Sequence, residues 1–405
     1  MNIELSGAAI NAYDHSGPLL AIGGPGSGKT TLALLKAKHF APALKPGQGI
    51  LFLSFSRSAV QQVLGSCSKQ LTAAERKLVV VQTYHAFCLD LLRAHGRLLT
   101  GFPPTVLYPG DEHLRRAEFT GDWSVESARL GEVEGVFAFD RFAEAATRLI
   151  LGSDTIGRLI ADKFPYVILD EFQDTSDDQW ELVQQLARRS ELVFLADPEQ
   201  RIFDYDPHVN PLRLEQLEKM LKPAVFDLGG QNHRSPNAGI LAYANAVLHF
   251  TPAPQTPDVV LVKYPPRVRG SADRTTHLEV IRMFNALRKQ GVQRPSIAVL
   301  ARSNSMVATV SSWLSSDAHK LSGRPLPPIA HDVAWDADLA ASAAIVVGTI
   351  LEWPGLERPD AVAQTIDAVA DFCRMKNAVE PKGNKSALDL ARRLSDSAVA
   401  VRRGA

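Results

Sequence analysis

Cysteine is scarce. Three residues, Cys67, Cys88 and Cys373, are too few and too far apart to make a disulfide framework or a zinc site. An odd, scattered set points to a reducing compartment and to small buried hydrophobes. Long apolar runs are also missing. None approaches the roughly 20 residues that span a bilayer, and the opening MNIELSGAAI lacks the basic start and apolar core of a secretion signal. These absences predict a cytoplasmic chain with no membrane partner. Neither sign of charge is in excess: 44 Lys plus Arg balance 44 Asp plus Glu, so any basic surface for nucleic acid has to be local. No internal repeat or low-complexity tract occurs.

The chain does have ample core material. At 405 residues, 45% hydrophobic, it can build two or three domains. Apolar runs at Leu19–Ile22, Ile50–Phe55, Leu78–Gln82, Tyr166–Leu169, Leu192–Leu195 and Val225–Leu228 are continuous rather than alternating, as in strands buried on both faces. Between them, helical spacing is read at Thr30–Phe40, Ser58–Gln70, His85–Arg97, Asp178–Arg189 and Leu212–Leu221. Alternating strands and helices predict an α/β fold with a parallel sheet. The stretch 101–160 opens on Phe102-Pro103-Pro104, breaks this rhythm and reads as a helical insertion. A second α/β unit is expected from about residue 223, with helices Asn237–Leu248 and Arg274–Lys289 and strands Val259–Lys263 and Ser296–Ala301. A Pro-rich loop, Arg324–Ile329, closes it near residue 330, and 331–405 reads as helical.

The chemistry concentrates at strand ends. Gly23-Gly24-Pro25-Gly26-Ser27-Gly28-Lys29-Thr30-Thr31 follows one strand, opens a helix and fits G-x-x-x-x-G-K-[ST]. Its glycines let backbone N–H groups turn inward onto phosphates, and the following helix adds its positive end. Lys29 is placed to reach the outer phosphates, and the Thr30 hydroxyl to bind Mg²⁺. Asp170 and Glu171 end the strand Tyr166–Leu169: Asp170 suits the metal, and Glu171 can orient and deprotonate an attacking water. Gln200 follows another strand and suits sensing a γ-phosphate or a water, although taken alone it reads as a surface loop residue. Arg234, in Asn232-His233-Arg234-Ser235-Pro236, could supply a guanidinium to phosphoryl transfer; taken alone it is a surface arginine. Ser54, Phe55, Arg57, Thr83, His85 and Tyr205 put hydroxyls and rings on one rim of the sheet. That pattern suits single-stranded nucleic acid, with core packing as the alternative for the aromatics.

Taken in order, these motifs resemble the UvrD/Rep-like superfamily 1 helicases. GPGSGKTT is similar to motif I, LSFSRSA to motif Ia, QTYHAF to the TxH motif, DEFQDTSDDQ to motif II, LADPEQRIF to motif III and GGQNHRSP to motif IV. The resemblance covers about residues 5 to 306. It implies two RecA-like P-loop domains: 1A over 1–100 and 161–222, and a partial 2A over 223–330. It further implies a small 1B-like insertion at 101–160 and the start of a 2B-like insertion at 331–405. It implies ATP and Mg²⁺ as cofactors, with Lys29, Thr30 and Asp170 on phosphates and metal and Glu171 as the base. Gln200 would couple nucleotide to DNA, Arg234 would be an arginine finger, and His233 would stand where the family stacks a Tyr on adenine. Phe55, Thr83, His85 and Tyr205 would fall on the single-strand path. The implied function is an ATP-dependent 3′-to-5′ translocase or helicase on single-stranded or partly duplex DNA. The alternative is a nucleotide- and DNA-binding regulatory subunit of a repair or phage-defence nuclease.

This sequence departs from the family pattern in places. Ala9 stands near the expected adenine-reading Gln, Thr31 replaces a common Arg, and Asp206 replaces another. Motifs V and VI are not intact. Thr349–Glu357 and Val399–Arg403 only echo them, so a shortened motor is expected.

Overall fold

The computed structural model describes residues 7–201, 207–229, 239–265, 271–301, 304–321 and 323–333. The chain divides into two compact units, Met1–Asn237 and Ala238–Ala405.

In the first unit the strands are β1 (Leu19–Ile22), β2 (Ile50–Ser54), β3 (Val79–Thr83), β4 (Thr105–Leu107), β5 (Val136–Ala138), β6 (Tyr166–Leu169), β7 (Glu191–Ala196) and β8 (Ala224–Asp227). Six of them form one sheet in the order β3-β2-β6-β7-β1-β8, and every pairing in it is parallel. Successive side chains on a strand point to opposite faces, and here both faces are apolar. Leu20, Leu51, Leu53, Val167, Leu169 and Phe194 join a core under the helices Tyr84–His95, Phe142–Gly152 and Asp177–Ala187. Their alternates Leu19, Ala21, Ile50, Phe52, Ile168 and Val193 pack under the helices Lys29–Phe40 and Arg57–Gln70. This two-sided burial is why the strands lack a polar period. A parallel sheet also aligns all its strand C-termini on one edge, and the motifs follow β1, β2, β3, β6 and β7 there.

In the first unit, expectation and observation differ in three places. The strand near Val225 does not open a second unit. β8 pairs with β1, Ala224 opposite Leu19 and Val225 opposite Leu20, and forms an edge of the first sheet. The insertion is not purely helical, because β4 and β5 pair in parallel beside a small core of Leu107, Trp123, Leu130 and Ala138. Its later part is not separate either, since Phe137, Phe142, Ala145, Leu149 and Ile156 are buried in the main core.

Within the second unit, the described residues form helices Gly239–Leu248, Ser271–Lys289 and Asn304–Leu314 and a two-residue strand pair at Lys320–Leu321 and Arg324–Pro325. Strands are not formed at 259–263 or 296–301. Val260 is 78% and Leu300 92% exposed; among the described residues neither run has a neighbouring strand to bond or a face to bury. The segment 334–405, including both motif echoes, lies outside the described residues.

Candidate active site

The loop after β1 is built to hold an anion. Gly26 and Gly28 adopt φ values of 73° and 94°, open to glycine and strained for other residues. A Cβ on Gly23 would lie 2.5 Å from the Ser27 hydroxyl, so the close approach also requires glycine. Gly28 caps the helix Lys29–Phe40, and no side chain occupies the cap, leaving first-turn N–H groups for a ligand. Ser27 is buried, and among the described residues its hydroxyl has no hydrogen-bond partner. The Lys29 ammonium folds back on the loop. It donates to the carbonyls of Gly23 at 2.5 Å and Gly24 at 3.1 Å, and lies 3.6 Å from an Asp197 carboxylate oxygen.

Opposite this loop stands the end of β6. Asp170 is 7% exposed, and its backbone N–H donates to the Leu53 carbonyl at 3.0 Å. Burial, followed by the neighbouring Glu171 carboxylate, pushes its acid group up to about 7, while Lys29 pulls the other way. A buried carboxylate this short of positive charge suits a hard cation. Glu171 is in the left-handed region, φ 50° and ψ 42°, an uncommon conformation for a residue with a Cβ and one that clusters at functional sites.

Two further residues complete the site, and neither was singled out from the sequence. Gln173, 2% exposed, donates from Nε2 to Glu171 Oε2 at 2.8 Å and accepts at Oε1 from the Asp197 N–H at 3.0 Å. Asp197, 1% exposed, accepts from Gln200 Nε2 at 2.6 Å and from the Glu199 N–H at 3.2 Å. Both sit inside motifs read from the sequence. An amide among carboxylates and an acid at a strand end are the available signals.

Pro25, Gly26, Ser27, Gly28, Lys29, Thr30 and Thr31 therefore line one cavity of about 470 Å³ together with Asp170, Glu171 and Gln200. Gly23 and Gly24 contribute the carbonyls that hold Lys29. The open N–H groups, the unpartnered Ser27 hydroxyl and the cation-poor Asp170 fit a polyphosphate and its Mg²⁺. His233, Arg234 and Tyr205 lie outside the described residues.

The residues expected on a nucleic-acid path separate. Phe55 and His85 line a second cavity, of about 510 Å³, with Tyr84 and the insertion residue Phe139. Ring centroids are 5.3 Å apart for Phe55 and Tyr84, and 6.0 Å apart for His85 and Phe139. Ser54 is not on a groove. It is fully buried at the end of β2, an inner strand of the sheet covered on both faces. The Thr83 hydroxyl accepts the Ala86 N–H at 3.1 Å and so caps the helix Tyr84–His95. Arg57 opens the helix Arg57–Gln70, with Ser56 as its cap; the Arg57 side chain is outside the described part.

The comparisons with known proteins fall on this geometry. A family model for an AAA domain matches residues 7–205, from the first described residue to beyond β7. The chain is 25% identical over 238 residues to the putative ATP-dependent DNA helicase YjcD of Bacillus subtilis, covering 47% of this chain and 31% of that protein. It is 24% identical over 365 residues to a probable DNA helicase II homolog of Mycoplasma pneumoniae, covering 73% and 50%. It is 25% identical over 301 residues to the ATP-dependent DNA helicase UvrD1 of Mycobacterium bovis, covering 58% and 38%. The chain is thus similar to UvrD/Rep-type helicases of superfamily 1. It spans about a third to a half of the length of these curated relatives. The parallel six-stranded sheet is RecA-like, and the matched span contains every described residue of the cavity that Lys29, Asp170 and Glu171 share.

Proposed function

We propose that the chain is an ATP-dependent motor on single-stranded DNA. The observation that carries this reading is the convergence of the Gly-rich loop, Asp170, Glu171 and Gln200 on one cavity of about 470 Å³. The loop N–H groups and Lys29 hold the outer phosphates, which replace the two carbonyls and Asp197 as partners of the ammonium. Thr30 and Asp170 hold Mg²⁺, which when bound neutralises charge on the phosphates. Glu171 orients the attacking water and takes its proton. Gln200, held by Asp197, lies where a change at the phosphates reaches the loop after β7. Arg234 acts as an arginine finger and His233 stacks on the base. Phe55 and His85 offer rings to unpaired bases, joined by Tyr205 and Arg57. The reading includes a 3′-to-5′ direction and a cytoplasmic setting. Among the described residues no helix is long and apolar enough to cross a membrane.

One observation favours a second reading. Strands are not formed at 259–263 or 296–301, and these would belong to a second motor sheet. A chain that binds ATP and DNA as a regulatory subunit of a nuclease or repair assembly, without unwinding, would need only the first unit's site. Steady-state ATP hydrolysis with and without a single-stranded oligonucleotide tests the proposal. Turnover stimulated by single strands and abolished by Lys29→Ala supports the motor. ATP binding with no stimulated turnover supports the subunit, and absence of ATP binding removes both.

A further inference from the structure

Among the described residues, one side chain holds the Glu171 carboxylate. Its backbone is left-handed at φ 50°, a conformation that costs a residue with a Cβ about 1 kcal/mol and persists where surroundings fix it. The carboxylate meets Gln173 Nε2 at 2.8 Å, and the same nitrogen lies 3.5 Å from Asp174 Oδ2. The other end of that amide takes the Asp197 N–H at 3.0 Å, across 24 residues of sequence. Asp197 in turn holds Gln200 at 2.6 Å and faces Lys29 at 3.6 Å. Gln173 is 2% exposed, so solvent cannot replace either bond.

We infer that Gln173 is a positioning residue that ties the general base to the loop after β7, so that one amide sets the distance between Glu171 and the segment carrying Gln200. This rests on the reading of Glu171 as the base. The two ends of the amide do different work. The donor end orients the Glu171 carboxylate, and the acceptor end docks the Asp197 backbone. A glutamate of the same length keeps an acceptor for Asp197 and loses the donor to Glu171. A methionine of similar length loses both.

The test uses the full chain and three proteins: wild type, Gln173→Glu and Gln173→Met. Hydrogen exchange at the Asp197 amide reads the docking end without any turnover. Protection is expected to stay near wild type in Gln173→Glu and to fall about tenfold or more in Gln173→Met. Steady-state kinetics reads the orienting end. In both variants kcat is expected to fall about tenfold to a hundredfold while KM for ATP stays within about twofold, because phosphate contacts are untouched and only the base is displaced. A purely structural role would lower both readouts together in both variants. The inference is overturned if Gln173→Glu hydrolyses ATP at the wild-type rate, or if Gln173→Met leaves Asp197 protection unchanged. If the wild type hydrolyses no ATP, the ATPase reading fails instead, and the exchange arm still decides whether the amide docks the loop. Thermal unfolding of each variant confirms that folded protein is compared.

Discussion

The first unit and the second contain similar apolar runs and treat them in opposite ways. Leu19–Ile22 and Tyr166–Leu169 are buried central strands, while Val260 and Leu261, in a run of the same character, are 78% and 71% exposed. An apolar segment becomes a parallel strand when a neighbour offers a ladder and helices cover both faces. β1 has β7 on one side, β8 on the other and a helix layer on each face. Residues 259–263 have no such neighbour among the described residues. The difference shows that in a parallel sheet the strand is a property of the layers around it rather than of its own four or five residues.

The largest expected effect breaks the first unit. Phe194→Ala removes a fully buried ring stacked edge-on against Phe172 at 4.8 Å, and should cost about 3–5 kcal/mol in denaturant unfolding. Leu300→Ser sharpens the contrast. Leu300 is 92% exposed, so that change should fall within about 0.5 kcal/mol. Equal losses at both sites would dissolve the comparison.

Asp170→Asn should act in the opposite direction. The native acid group titrates near 7, above its ordinary value of 3.8 in the unfolded chain, so folding favours the protonated form. That contribution is complete below about pH 4 and lost as pH rises through 7. Without divalent metal, the asparagine variant should therefore be more stable than wild type at pH 8, by about 2–4 kcal/mol, and the gap should close toward pH 4. Adding Mg²⁺ with nucleotide should close it from the other side by stabilising wild type alone. Thermal unfolding across pH reads both.

A smaller loss separates cap from contact. Thr83→Ala should cost about 1 kcal/mol of stability by losing the helix cap. It should weaken single-strand binding less than Phe55→Ala, which removes a ring from the second cavity. Fluorescence anisotropy with a labelled oligonucleotide ranks the two.

Much of the first unit could be read from the sequence, for reasons visible in particular residues. The runs around β1, β2, β3, β6 and β7 are continuous and apolar because both faces are covered, and each expected strand lies within a residue or so of the observed one. The Gly-rich loop is legible because glycine at 26 and 28 answers to a positive φ, and Asp170 and Glu171 because they end such a strand. The rest depends on partners distant in sequence. β4 and β5 are three residues each, too short to show a period, and exist through each other. Val225 reads as the start of something new; only its pairing opposite Leu20 makes it an edge of the first sheet. Ser54 and Thr83 carry hydroxyls that suit a nucleic-acid rim, and one is turned inward while the other is spent on a cap. Gln173 and Asp197 sit 24 residues apart, and nothing local in either motif announces the bond between them.

The most direct measurement is single-strand-stimulated ATP hydrolysis by the wild-type chain and by Glu171→Gln, with ATP binding measured on the same preparations. The cavity shared by the Gly-rich loop and the end of β6 predicts that both proteins bind ATP with Mg²⁺ and that only the wild type turns it over, the variant losing at least about a hundredfold in kcat. Undiminished turnover by Glu171→Gln, or absence of ATP binding by the wild type, would contradict the assignment of that cavity as the site of the chemistry.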